Sequence, residues 1–418
     1  HNVVSWNALI GGYAQQGQCH EALGCFEWMQ REGLCPDAIT FMCALKACGS
    51  TGAIDKGEDI HDNIVNMGLL EKEIMLGTAL VDMYATCGLL PQARQVLERV
   101  PSRSISSWNA IISGHVQQEQ HNEALDCFER MQIKGHTPDV VTFTCALKAC
   151  GRIGAVDIGK QIHNQIINRG LLQKDGVLCN AMLDMYAKCG ELAKAEKVLE
   201  EIPIRDVVSW NALIGGFVVE IGSCEGVFEC FSWMQVEGIL PDALTFVCIL
   251  RACANLCNAR KGCKFHMQIL EKELQKDIFV GNTIVDMYAK CGLVLDAQKA
   301  FNELPSHDVV SWNALISGYA EYGPFKEALK CFDEMELYNV VPDATTFVST
   351  LKACANLGNI DKGHEVHQKI KQKGFEKNLF VGSTLVDMYA KCASLVEAEN
   401  SFKVLLSRDV MSWNALIA

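Results

Sequence analysis

The sequence predicts an all-α fold, a right-handed α-solenoid of stacked helix-turn-helix repeats, and three observations carry that expectation. One hexapeptide theme recurs five times, as SWNALI from Ser5, Ser209, Ser311 and Ser412 and as SWNAII from Ser107. Its tryptophans Trp6, Trp108, Trp210, Trp312 and Trp413 are 102, 102, 102 and 101 residues apart, too far for one supersecondary unit. Each long period divides into three segments, 35, 36 and 31 residues long in the first, and each segment holds two apolar stripes of helical spacing split by a glycine.

In the first segment, Val3 to Asp37, the residues Trp6, Leu9, Ile10, Tyr13 and Ala14 fall at i, i+3, i+4, i+7 and i+8. Gly17 breaks the pattern, Ala22, Cys25, Phe26 and Met29 form a second stripe, and Pro36 closes the segment by disfavouring helix in the residue before it. The second segment, Ala38 to Glu73, repeats the scheme with Phe41, Leu45 and Cys48, then Gly52, then Ile60, Ile64 and Met67. The third, Ile74 to Ser104, uses Leu80, Met83 and Tyr84, then Gly88, then Ala93, Val96 and Leu97, ending at Pro101. The triplet restarts at Ile105, Val207 and Val309, so triplets span 3–104, 105–206, 207–308 and 309–409, and a truncated fifth covers 410–418. Twelve hairpins and one opening helix are therefore expected in a single solenoid over residues 1–418. A residue inserted in the hairpin Val207 to Asp242 is offset by a shorter hairpin, Ala243 to Asp277, a change that loops absorb at little cost. Because the chain starts inside a repeat junction and stops in mid-helix, it is expected to be a piece of a longer protein, and no targeting peptide can be read from it.

Composition restricts the functional classes. The chain is 49% hydrophobic and 21% charged, without low-complexity tracts or an apolar run that could span a membrane. Most of its 21 cysteines recur at equivalent places, as in Cys48, Cys150, Cys253 and Cys354, and residues a full period apart cannot pair. They read as small buried apolar groups in a reducing compartment. Cys253, Cys257 and Cys263 lie close together but complete no zinc-ligand set. The HxE at His121 lacks the PCxxC half of a deaminase signature, and the same position elsewhere simply starts a helix. With no phosphate loop, nucleophile elbow or HExxH either, the chain reads as a non-enzyme that needs no cofactor.

The segment VVSWNALIGGYAQQGQCHEALGCFEWMQREGLCPD resembles a pentatricopeptide repeat, and the alternation of segment lengths resembles the plant class built of P, L and S motifs. LVDMYATCG at Leu80, LDMYAKCG at Leu183, IVDMYAKCG at Ile284 and LVDMYAKCA at Leu385 are similar to its S motif. ALKAC at Ala44 and Ala146, LRAC at Leu250 and LKAC at Leu351 are similar to its L motif. The resemblance covers essentially the whole chain. It implies an α-solenoid that binds single-stranded RNA in mitochondria or chloroplasts at one nucleotide per motif. It also implies E-type motifs and a DYW deaminase domain as frequent continuations, neither of which is present here.

Members of that family read a base with the residue after the first-helix aromatic and the last residue of the motif. By resemblance the P-motif pairs Asn7 with Asp37, Asn109 with Asp139, Asn211 with Asp242 and Asn313 with Asp343 favour uridine. The S-motif pairs are Thr78 with Ser104 for a purine, Asn180 with Asp206 and Asn282 with Asp308 for uridine, and Ser383 with Asp409 for guanosine. Thr144 with Asp175 in the second L motif favours guanosine. Met42 with Glu73, Val247 with Asp277 and Val348 with Asn378 lack a polar group at the first position and stay unassigned. The implied site, 5′ to 3′ with N for any base and R for purine, is U-N-R-U-G-U-U-N-U-U-N-G. Stacked hairpins make such reading physically reasonable, because one polar side chain per hairpin recurs along an extended strand of unpaired bases.

Simpler roles compete at these positions. Asn, Ser, Thr and Asp near helix starts are ordinary caps. The apolar second residues Val4, Val208, Val310 and Phe279 either sandwich bases or pack between repeats. Lys188, Lys290 and Lys391 either approach phosphates or are solvated lysines. The balance of 37 basic against 50 acidic residues, net −13, opposes the basic excess usual in nucleic-acid binders, so affinity must come from stacking and hydrogen bonds or from a locally basic face. The reading is a sequence-specific RNA adaptor, the recognition module of an organellar editing or processing factor with editing proteins or a deaminase in trans as partners. A protein-binding solenoid of the tetratricopeptide kind is the alternative, against which the uneven triplet speaks.

Overall fold

In the computed structural model, which describes residues 2–70, 72–100, 104–172, 175–220, 222–405, 408 and 410–417, the described residues form twenty-five α-helices, two short 3-10 helices and no strand. Taken in chain order, the α-helices are twelve successive pairs and a final single helix. The contacts divide the chain into two compact units, His1–Gly216 and Phe217–Ala418.

In the first unit the first helices of successive hairpins, Val3–Gln15, Ala38–Thr51, Ile74–Thr86, Ile105–Gln117, Val140–Ile153 and Gly176–Lys188, pack side by side in one continuous row. Second helices such as Cys19–Arg31 and Ile54–Asn66 pack against their own first helix and the next one. The second unit repeats the scheme with Ala243–Asn255, Ile278–Lys290, Val309–Tyr322, Ala344–Leu357, Leu379–Lys391 and Val410–Ile417 in the row. This two-layer stack is the solenoid architecture. A helix whose apolar face is covered on both sides along the row cannot slip without uncovering that face.

The repeated tryptophan explains why the hexapeptide recurs. Trp108, Trp210 and Trp312 are buried, and emptying such a site costs roughly 3–5 kcal/mol. Cys48, Cys150, Cys253 and Cys354 are completely buried, and no disulfide is present among the described residues. The thiols of Cys87, Cys189 and Cys291 donate to the main-chain carbonyls of Cys48, Cys150 and Cys253, so one cysteine set packs against the other. Leu9 and Met67 lie on the stripes expected to face inward but are exposed.

The break between the two helices of a hairpin demands a left-handed residue. Gly17, Gly52 and Gly88 supply it with φ of +76°, +68° and +82°. Where glycine is missing the conformation persists, at Glu119 (φ +59°), Cys257 (+49°) and Ala393 (+59°), and costs about 1 kcal/mol or more at each.

Candidate nucleic-acid interface

Among the described residues, the P- and S-motif pairs that fall within one unit lie where a first helix meets the capping residue of the next hairpin. Asp37 ends one motif and caps the helix Ala38–Thr51, accepting from the Thr40 amide at 2.9 Å. The same carboxylate accepts from Asn7 Nδ2 at 2.9 and 3.0 Å. Asn109 and Asp139 (3.0 and 3.0 Å) and Asn313 and Asp343 (3.0 and 3.1 Å) repeat the arrangement. Capping and pairing are therefore not alternatives, as a carboxylate's four lone-pair sites serve both donors at once. Desolvation pushes the Asp37 carboxyl up, but bonds from the Thr40 amide, Asn7 and the Thr40 hydroxyl outweigh it and hold the group below the usual carboxylate range. Asp139 is held low in the same way.

The S motifs vary more. Asn282 donates to Asp308 at 3.0 and 3.2 Å, whereas Asn180 reaches one oxygen of Asp206 at 3.4 Å. Thr78, Ser104 and Ser107 form a triangle of hydroxyls with sides of 2.9 to 3.0 Å. Ser383 is buried, and its expected partner Asp409 lies outside the described residues. Asn211 and Asp242 fall in different units.

Thr144 and Asp175 are not joined. The Thr144 hydroxyl turns back to the Val140 carbonyl at 2.7 Å, and the Asp175 carboxylate caps its own helix through the amides of Val177 and Leu178. Asp277 and Asn378, the last residues of two unassigned L motifs, cap in the same way through the next amides but one and two. The L-motif end thus faces the helix that follows it.

Val4, Val208, Val310 and Phe279 are 72%, 55%, 55% and 75% exposed, so more than half of each stays open to solvent. Ile39, Met75, Val141, Val177, Leu244 and Phe380 occupy the same place and are exposed too, so an open apolar row flanks the polar pairs. In the second unit these features share one groove of about 920 Å³, in which Phe279 and Val310 lie beside Asn282, Asp308, Asn313 and Asp343.

Lys188, Lys290 and Lys391 sit on that row of helices, each in an ion pair one turn back, with Asp184 (2.5 Å), Asp286 (2.8 Å) and Asp387 (2.9 Å). A second cationic set escaped the sequence reading. Lys46, Lys148, Arg251 and Lys352 recur one turn beyond the reading position of each L motif, all exposed. Their signal was the K or R inside ALKAC and LRAC. The first helices together carry eight basic and five acidic side chains, against a net −13 for the chain. The capping aspartates return negative charge to the same face.

A further repeated contact fixes the S-motif helix. His61, His163, His266 and His367 place Nδ1 2.9, 2.8, 2.9 and 2.8 Å from the hydroxyls of Tyr84, Tyr186, Tyr288 and Tyr389. Desolvation lowers the pKa of all four imidazoles. The histidines were silent in sequence because they lie on the second helix of one motif and the tyrosines on the first helix of the next.

The model of the PPR repeat family matches residues 1–50, 103–152, 205–255 and 307–356, and the PPR repeat model matches 177–207, 282–309 and 345–375. The chain belongs to the pentatricopeptide repeat family. A chloroplastic pentatricopeptide repeat-containing protein of Arabidopsis thaliana is 34% identical over 417 residues, all of this chain and 67% of the relative. A mitochondrial one is 30% identical over 483 residues, covering 47% of the relative. The chain spans about half to two-thirds of the length of such relatives. Among solved structures, the pentatricopeptide repeat protein PPR10 in complex with an 18-nucleotide psaJ RNA element is similar over 88% of this chain and 55% of that one, with a TM-score of 0.73 at 20% identity. PPR10 from maize is similar over 100% and 71%, with a TM-score of 0.59 at 16% identity. At these identities the likeness establishes the pentatricopeptide solenoid fold. Among the described residues no helix is long and apolar enough to cross a membrane.

Proposed function

We propose that the chain binds single-stranded RNA sequence-specifically, one nucleotide per motif, as the recognition module of an organellar RNA editing or processing factor. The groove of the second unit carries this reading. It brings the amide–carboxylate pairs Asn282–Asp308 and Asn313–Asp343 into one groove with exposed apolar side chains at Phe279 and Val310. Each pair keeps one amide N–H for a base edge, and each flanking side chain offers a surface on which a base can lie. Arg251 and Lys290 line the same groove, within reach of a backbone that follows it.

That a PPR10 structure of the same fold holds an RNA element supports the choice of ligand. Relatives named as chloroplastic and mitochondrial support an organellar site of action. The module itself supplies recognition only, and chemistry on the bound RNA belongs to a further domain or to a protein partner. Thr144 and Asp175 are not bonded to each other, and the three apolar L positions stay unassigned in this reading.

The test is binding of the purified chain to U-N-R-U-N-U-U-N-U-U-N-G RNA and to a scrambled RNA of equal composition. Tight binding to the first, weakened by scrambling and by Asn313→Ala, supports the reading. Equal weak binding to both removes it and favours a groove for protein segments.

A further inference from the structure

We infer that the third residue of the motif following each pair, threonine after P motifs and serine after S motifs, sets how strictly the asparagine distinguishes uridine from cytidine. This rests on the base-reading function proposed above. The residue touches no base. It is a positioning residue that acts through the asparagine amide.

The hydroxyls of Thr40, Thr142 and Thr346 lie 2.5, 2.6 and 2.6 Å from the Oδ1 atoms of Asn7, Asn109 and Asn313. All three threonines are fully buried. Each hydroxyl oxygen already accepts the backbone N–H of Asp37, Asp139 or Asp343 at 3.1 Å, so its proton faces the two side chains. The asparagine oxygen is nearer than the carboxylate, which lies at 2.8 to 3.0 Å. A P-motif amide is thereby held at both ends, Nδ2 on the carboxylate and Oδ1 on the hydroxyl. Its outward character is a single fixed donor, the second Nδ2 proton.

After the S motifs that read with asparagine, at Asn180 and Asn282, the hydroxyl does something else. Ser209 and Ser311 lie 2.8 Å from the main-chain carbonyls of Asp206 and Asp308 and donate there. The Oδ1 of Asn282 is left buried without a hydrogen bond, although its Nδ2 is held by Asp308. The β-branch of threonine narrows its hydroxyl's choice of rotamer, which serine does not share. The same Asn and Asp letters thus describe two different amides.

Uracil and cytosine have one shape and opposite hydrogen-bond character, O4 accepting where N4–H donates and N3–H donating where N3 accepts. A fixed lone donor meets a fitting partner on one base and a clashing donor on the other. The Asn282 amide is held at its Nδ2 end alone, and because no hydroxyl fixes its buried Oδ1, a turn about Cβ–Cγ brings that oxygen to the base edge and presents donor and acceptor side by side. It pairs with uracil through O4 and N3–H, and with cytosine through N3 and N4–H after a small shift along the edge. P motifs therefore select uridine, and S motifs with serine accept both pyrimidines.

The test is fluorescence anisotropy of the purified chain on RNAs bearing U, C or A at the nucleotide facing Asn313 and, separately, at that facing Asn282. In the unaltered chain the preference for U over C is larger at Asn313 than at Asn282 by roughly tenfold. Thr346→Val removes the difference at Asn313 and leaves Asn282 as it was, while Ser311→Thr raises the preference at Asn282. A purely structural role of Thr346 would lower affinity for the U and C RNAs alike and keep their ratio. Equal ratios at the two sites that Thr346→Val does not move overturn the inference, while a kept preference for pyrimidine over A shows that base reading stands. Indifference to U, C and A at both sites overturns both.

Discussion

Asn313 donates its side-chain amide to both oxygens of Asp343, 3.0 and 3.1 Å away, across thirty residues of sequence. The bond ties the first helix of one hairpin to the cap of the next, so the proposed reading unit is also part of the joint between repeats. Asp343→Ala is expected to lower stability by about 1 kcal/mol through the lost cap, and to weaken RNA binding as well. Asn313→Ala leaves the cap but removes the tie to it, so it weakens binding by about 1–3 kcal/mol and lowers stability by less than Asp343→Ala does. Chemical denaturation and RNA titration of both variants separate the two effects.

The ion pairs on the S motifs give a second expectation. Lys290 spends its charge on Asp286 in the chain without RNA. Asp286→Asn frees it, so affinity for unrelated RNA should rise and the slope of log affinity against log salt should steepen by about 0.7, the value for one single-strand phosphate. Lys290→Ala should change the slope less than an unpaired cation would.

The His–Tyr contacts predict how stability responds to acid. Burial lowers the histidine pKa values in the fold, so below the ordinary value of 6.5 the unfolded chain binds more protons. This contribution is fully present above pH 6.5 and is lost as pH falls toward the folded values. Urea midpoints measured from pH 8 to 5.5 should decline over the lower half of that range, and His163→Gln should make the decline shallower.

Left-handed residues other than glycine predict stabilising changes. Glu119→Gly and Ala393→Gly should each raise stability by about 1 kcal/mol, because the turn conformation is already imposed there. Thermal melts of the two variants check this, and RNA affinity should stay the same.

The hairpins were legible because tryptophan, phenylalanine and glycine recur at fixed offsets, and Trp108, Trp210 and Trp312 are buried at three of them. The pairs were legible at Asn7, Asn109, Asn282 and Asn313, where a short connection brings the capping carboxylate back beside the amide. No such bond joins Thr144 to Asp175, because a threonine inside a helix can bond the carbonyl one turn back, a local choice that spacing does not reveal. The difference between threonine and serine in the following motif was equally hidden. Both letters cap a helix, and only the direction of the hydroxyl separates Thr346 from Ser311.

The most direct test is the affinity of the purified chain for U-N-R-U-N-U-U-N-U-U-N-G RNA against a scrambled RNA of equal composition, at low and moderate salt. The account predicts tighter binding to the matched RNA at both salts, with a preference that Asn313→Ala reduces. Equal affinity for the two RNAs, unchanged by the substitution, would contradict it.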